Sequence, residues 1–121
     1  MQEIQKPKRF DLEERTEKFA RSVGKFVECL PKNMSNLEYG KQLIRSSGSI
    51  GANYIEANDS LGKKDFQMHV RICRKESKES RLFLRLLEAN TAESEAERLA
   101  LVQEATELMN IFGAILRNSG G

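Results

Sequence analysis

The chain has two cysteines, two prolines, one histidine and no tryptophan in 121 residues. Cys29 and Cys73 cannot build a disulfide framework, and their spacing fits no zinc pattern. His69 stands alone, so no acid–histidine–nucleophile set suggests itself, and it is read as a structural or surface residue. With prolines only at Pro7 and Pro31, residues 32–121 are free of the strongest helix breaker. No apolar run approaches the length of about 18 residues that marks a membrane span, and the opening MQEIQKPKRF lacks an apolar signal core. These absences set aside a secreted, disulfide-stapled or membrane-spanning protein and leave the cytoplasm, with no membrane partner. Charge of one sign is not in excess either. Twenty Lys and Arg against 18 Asp and Glu give +2, too little for whole-molecule charge to imply a polyanion. Phosphate-binding and dinucleotide-binding glycine loops are also missing.

What is present is helical periodicity. Residues 1–10 read as a basic tail (Lys6, Lys8, Arg9), 11–118 as a four-helix bundle, and 119–121 as a C-terminal tail. Leu12, Thr16, Phe19, Val23, Phe26 and Leu30 recur at alternating steps of four and three, lining one face of a helix that Pro31 ends. Ser35 with Glu38 predicts a capping box opening a second helix. Its inward line is Leu43, Ser47, Ile50, Tyr54, Ala57 and Leu61, widened by Leu37, Ile44, Gly51 and Ile55. Gly40, Ser46, Ser47, Gly48, Ser49 and Gly51 are weak helix formers. They either admit a neighbouring helix at close range or break this one in two.

A third helix is expected after Gly62, with Asp65 in its first turn and Phe66, Val70, Cys73, Ser77, Ser80, Leu84 and Leu87 inward, ending at Asn90-Thr91. Ser94 with Glu97 predicts the cap of a fourth, whose face carries Val102, Ala105, Met109, Phe112 and Leu116 beside Leu101, Leu108 and Ile115. No strand-like alternation competes. The fold expected is all-α, an antiparallel up-down four-helix bundle. The fourth helix and the run 82–87 are apolar around much of their circumference, which marks either a subunit interface or a wide core arc. Cys73 on an inner line and Cys29 beside one are expected to be buried, inert thiols.

Two polar constellations rise above this background. Gln42, Arg45, Ser49, Asn53 and Glu56 share one face of the second helix. They form either an exposed stripe or a partly buried seam whose hydrogen bonds fix helix register. Lys64, Arg71, Arg74, Lys78, Arg81 and Arg85 fall within one arc of the third helix. Residues 63–88 carry eight basic and four acidic side chains, whereas 89–121 carry two and five. Such segregation is either an electrostatic footprint for phosphates or a solvated face with local ion pairs. Glu76 and Glu79 are read as solvated acids. No catalytic residue, cofactor site or metal ligand is assigned.

The run Gln42-Leu43-Ile44-Arg45-Ser46-Ser47-Gly48-Ser49-Ile50-Gly51-Ala52-Asn53 with Glu56, then Lys64-Asp65-Phe66 and Lys75-Glu76-Ser77-Lys78-Glu79-Ser80, carries a resemblance. The chain resembles, over about residues 10–118, the four-helix-bundle family of proteins encoded within intervening sequences of bacterial 23S rRNA genes. Ala57 stands where many relatives have glycine. The resemblance implies a ring-like homopentamer and supplies no catalytic residues. Similar proteins are accessory factors of diversity-generating retroelements, in which a basic pentamer binds nucleic acid and a reverse transcriptase. The expectation is therefore a non-enzymatic, oligomeric bundle that binds RNA or DNA through the basic stripe. The alternative is a structural or protein-interaction scaffold without nucleic-acid binding.

Overall fold

The structure, a computed structural model, describes residues 8–120 and the side chains of residues 12–120. Four helices follow one another: α1 (Lys8–Glu28), α2 (Met34–Asn58), α3 (Lys63–Leu86) and α4 (Ala92–Asn118). No strand occurs among the described residues. Connections of a few residues force each helix to run antiparallel to the one before it. Each helix packs on its sequence neighbours, and α1 closes the bundle against α4. Lys8 and Arg9 belong to the first turn of α1, whereas Lys6 lies outside the described residues.

The core follows the heptad-like spacing closely. Leu12, Thr16, Phe19, Val23, Phe26 and Leu30 are all buried. In α4 the centre of the buried face is shifted from the expected line. Leu101 and Leu108 are buried, whereas Val102 and Met109 are half-buried. That shift comes from α4 resting on both α1 and α3, so its wide apolar arc mostly serves one core. By length and composition alone α4 could cross a membrane. Here Leu101, Ala105, Leu108, Phe112 and Leu116 fill the bundle interior, and Glu104 and Glu107 grip Arg15 of α1.

Helix α2 is unbroken, and its small residues have separate reasons. A Cβ on Gly40 would stand 3.0 Å from Cγ1 of Val27, and one on Gly51 would stand 3.3 Å from Oγ1 of Thr16. Both glycines let α1 approach. Gly48 has nothing within 4 Å and needs another account. On the opposite flank Ser46 and Ser80 share a buried hydrogen bond of 2.8 Å between α2 and α3. At the end of the bundle, buried Asn36 donates to the carbonyls of Pro31 and Glu88 and accepts from the Glu88 amide. Both donors and one acceptor site of its amide are used, and the two loops at that end are tied together.

Several expectations are corrected. The cap of α2 is Asn33, whose side chain accepts from the Asn36 amide, and Ser35 instead donates to Asn33. The cap of α4 is Thr91, with Ser94 rather than Glu97 completing the reciprocal pair. In both helices an acceptor lay closer to the last loop residue than the Ser–Glu pattern suggested. Helix α3 ends at Leu86, before Asn90. Leu61 is 102% exposed because α2 stops at Asn58, and Leu37, Ile44 and Ile55 are about half exposed because α1 reaches only one side of α2. Cys29 is exposed in the turn after α1.

Candidate nucleic-acid interface

Helix α3 carries charge both where it meets α2 and over the rest of its surface, where Arg74 lies beside α4. On the α2 flank the seam residues meet acids and a histidine. Arg45 reaches Glu79 Oε1 at 3.3 Å and Glu76 Oε2 at 3.7 Å, and its Nε donates to Gln42 Oε1 at 3.4 Å. Asn53 donates from Nδ2 to the hydroxyl and carbonyl of Ser49, each at 3.0 Å. Its Oδ1 therefore faces His69 Nδ1 at 3.1 Å as an acceptor, which places the histidine proton on Nδ1. Four of the five seam residues take part in these two clusters, Ser49 and Asn53 half-buried and Gln42 and Arg45 exposed. Glu56 is exposed and outside them.

Glu76 is the residue that sequence reasoning missed. It is 5% exposed rather than solvated, and its Oε1 has no hydrogen-bond partner. Burial pushes its carboxyl up, Glu79 adds to the shift, and Arg45 and Lys75 oppose it. Its spacing contained the signal, because position 76 falls beside Cys73, Ser77 and Ser80 on the inner line. The Cys73 thiol donates to the Ile50 carbonyl at 3.4 Å, and burial pushes it up to about 12, which makes it inert.

Away from α2 the arrangement is opposite. Lys64, Arg71, Arg74, Lys78 and Arg85 are exposed and Arg81 is half-buried. Among the described residues, none of the six lies within 4 Å of a carboxylate. Acids that might have compensated them point elsewhere. Glu76 and Glu79 face Arg45 on α2. Glu104 and Glu107 hold Arg15 of α1 at 2.6 Å each, and Glu95 pairs with Arg98 on its own helix. Two further basic residues border this edge from α4. Arg117 and Arg74 both lie over buried Gly113, and Arg98 donates to the Leu84 carbonyl at 3.5 Å. Arg117 escaped the sequence reading because no periodicity within α4 tells which residues of α3 it will meet.

The clefts assemble no reaction centre among the described residues. One of about 520 Å³ between α1 and α4 is lined by Arg15, Phe19, Leu101 and Glu104, and its arginine is already ion-paired. Another, of about 530 Å³, exposes Cys29 beside Thr91, Ser94 and Glu97, with no histidine to act as a base. No group of three or more His, Cys, Asp or Glu is placed to hold a metal ion among the described residues.

The geometry defines an antiparallel four-helix bundle with one internally paired polar seam and one uncompensated cationic edge. The chain belongs to the 23S rRNA-intervening sequence protein family, whose model matches residues 8–114. It is similar to a Bacteroides thetaiotaomicron protein of unknown function from the S23 ribosomal protein family. The TM-score is 0.79 at 26% identity, covering 92% of this chain and 99% of that one. Neither match indicates a catalytic family. No curated protein matches the chain.

Proposed function

We propose that this protein is a non-enzymatic, oligomeric helical bundle that binds RNA or DNA through the basic edge of α3. The observation that carries the reading is the absence of carboxylate partners for Lys64, Arg71, Arg74, Lys78, Arg81 and Arg85 among the described residues, while nearby acids are held by other helices. Cations that give up no internal ion pair are free to neutralise phosphates and release counterions. Recognition is expected to be largely independent of sequence, because the aromatics of α3, Phe66 and Phe83, pack against the core rather than beside the six cations where bases could stack.

Oligomerisation is supported by the apolar surface that the bundle leaves uncovered: Leu37, Ile44 and Ile55 on α2, and Leu82 and Leu86 on α3. A ring of five follows from the family resemblance, and a symmetric ring repeats the basic edge around its axis. Those same apolar residues support the second reading, a protein-interaction scaffold. Sedimentation of a monomer at micromolar concentration would reject the oligomer.

The main test is a salt titration against labelled RNA and duplex DNA. Each contacted phosphate contributes roughly −0.9 to the log–log salt slope on duplex DNA and about −0.7 on a single strand. The double variant Arg74→Gln/Lys78→Gln is expected to keep its stability within about 0.5 kcal/mol. It should bind less tightly, with a slope shallower by up to about 2. No saturable binding by wild type at low salt overturns the reading in favour of the scaffold.

A further inference from the structure

Gly113 is a buried glycine in an otherwise apolar stretch of α4, facing α3. A Cβ built there would lie 3.5 Å from Nη1 of Arg117 and 3.8 Å from Nε of Arg74. Two guanidinium groups from different helices therefore stand over the same patch of bare backbone. Neither is within 4 Å of a carboxylate among the described residues. Like charges that converge without a counter-charge repel each other, and an anion seated between them removes that repulsion. Guanidinium offers a planar fork of donors matched to the oxygens of a phosphate. At the same end of the bundle, Lys63 Nζ lies 3.0 Å from where a Cβ on Gly120 would be. A third cation thus stands near the C-terminus of α4, whose terminal carbonyls by themselves disfavour an anion.

We propose that Arg74 and Arg117 form a phosphate cradle over Gly113, which takes one backbone phosphate of the bound nucleic acid. The inference deepens the proposed nucleic-acid reading and rests on it for the source of the phosphate. Arg117 supplies the second half of the site from α4, and Gly113 keeps the space between the two forks open. The cradle fixes the register of the strand on the edge, while the remaining cations of α3 add attraction without fixed geometry.

The test uses the full-length protein with single-stranded RNA across a salt series, and inorganic phosphate as a separate probe. Arg117→Gln is expected to weaken RNA binding about as much as Arg74→Gln and to make the slope shallower by about 0.7. The combination Arg74→Gln/Arg117→Gln should lose less than the product of the two single losses, because each variant already disables one shared site. Arg117→Gln combined with Arg85→Gln should lose the full product. Gly113→Ala retains every charge and meets its neighbours only at ordinary van der Waals distance, so it should fold normally yet weaken binding by filling the cradle. In nuclear magnetic resonance spectra, the Nε–H signals of Arg74 and Arg117 should move together on adding either probe. If wild type binds RNA and Arg117→Gln binds equally well, the cradle is wrong while the nucleic-acid reading stands. If RNA does not bind but inorganic phosphate moves both signals, the anion site survives and its nucleic-acid source is overturned. If RNA binds without moving either signal, the cradle is wrong and the nucleic-acid reading stands; if RNA does not bind and phosphate moves neither signal, both ideas fall.

Discussion

The two sides of α3 resolve their polar side chains in opposite ways. Against α2, Arg45 finds Glu76 and Glu79, Asn53 finds His69, and Ser46 finds Ser80. Away from α2, the basic residues find no acid among the described residues. The difference teaches that net charge along a helix is a poor guide to its electrostatic surface. What decides is where the opposing charges of neighbouring helices are aimed. A paired flank ties its helices to each other, and an unpaired one keeps its donors turned to solvent.

That contrast can be broken first on α4, whose core face adjoins the Gly113 edge. Phe112 is fully buried and packs against Tyr54 with ring centroids 5.8 Å apart. Phe112→Ala is expected to cost about 3–5 kcal/mol through lost burial and a residual cavity. A denaturant midpoint that does not move would place the ring outside the core and blur the division between core and edge.

On the paired flank, Ser46 and Ser80 share a buried bond of 2.8 Å in which either hydroxyl can donate, and Ser46 also lies 3.3 Å from the Leu43 carbonyl. Ser46→Ala strands the Ser80 hydroxyl in a buried site and is expected to cost about 1–3 kcal/mol. Adding Ser80→Ala should recover part of the loss, since both polar partners are then gone. Urea unfolding of the two singles and the double gives the coupling, and strict additivity would mean the bond contributes nothing to register.

A smaller effect of opposite sign is expected at Gly48, where a Cβ meets nothing within 4 Å. Gly48→Ala should stabilise the isolated bundle by about 0.5–1 kcal/mol through helix propensity alone. If it instead disrupts assembly in sedimentation while secondary structure persists, Gly48 lies in a contact between subunits. That would give this glycine the close-approach role that Gly40 and Gly51 have inside the chain.

The subtlest expectation concerns pH. Burial is the main reason Glu76 holds its proton more tightly in the folded chain than the ordinary carboxyl value of 4.5, with Glu79 reinforcing and Arg45 opposing. A raised folded pKa favours the native state fully below the unfolded value, and that advantage is lost as pH rises through the folded value. Wild type should therefore lose stability across this window, and Glu76→Gln should flatten the decline. Unfolding midpoints of both proteins measured across the acid range check it. A steeper decline in the variant would mean that the Arg45 contact outweighs desolvation.

The periodic spacing of apolar residues was enough to place all four helices and most of the core. It was enough because a helix of 3.6 residues per turn must bury one stripe wherever it packs. The seam was legible in outline, with Gln42, Arg45, Ser49 and Asn53 on one face, but its partners on α3 were not. Glu56 shared the periodicity without sharing the contacts, since α2 has nearly ended where it stands.

By itself the sequence determined the helix count, the antiparallel order imposed by short loops, the basic arc of α3 and the family. Those follow from local periodicity, turn length and residue identity. Only the tertiary structure decided that Leu37, Ile44 and Ile55 stay half exposed, that Glu76 is buried, and that Arg117 joins Arg74 over Gly113. Burial and ion pairing depend on which flank of each helix its neighbours cover. That is a property of helix rotation about the bundle axis, and it is set by the summed packing of all four helices rather than by any one stretch of chain.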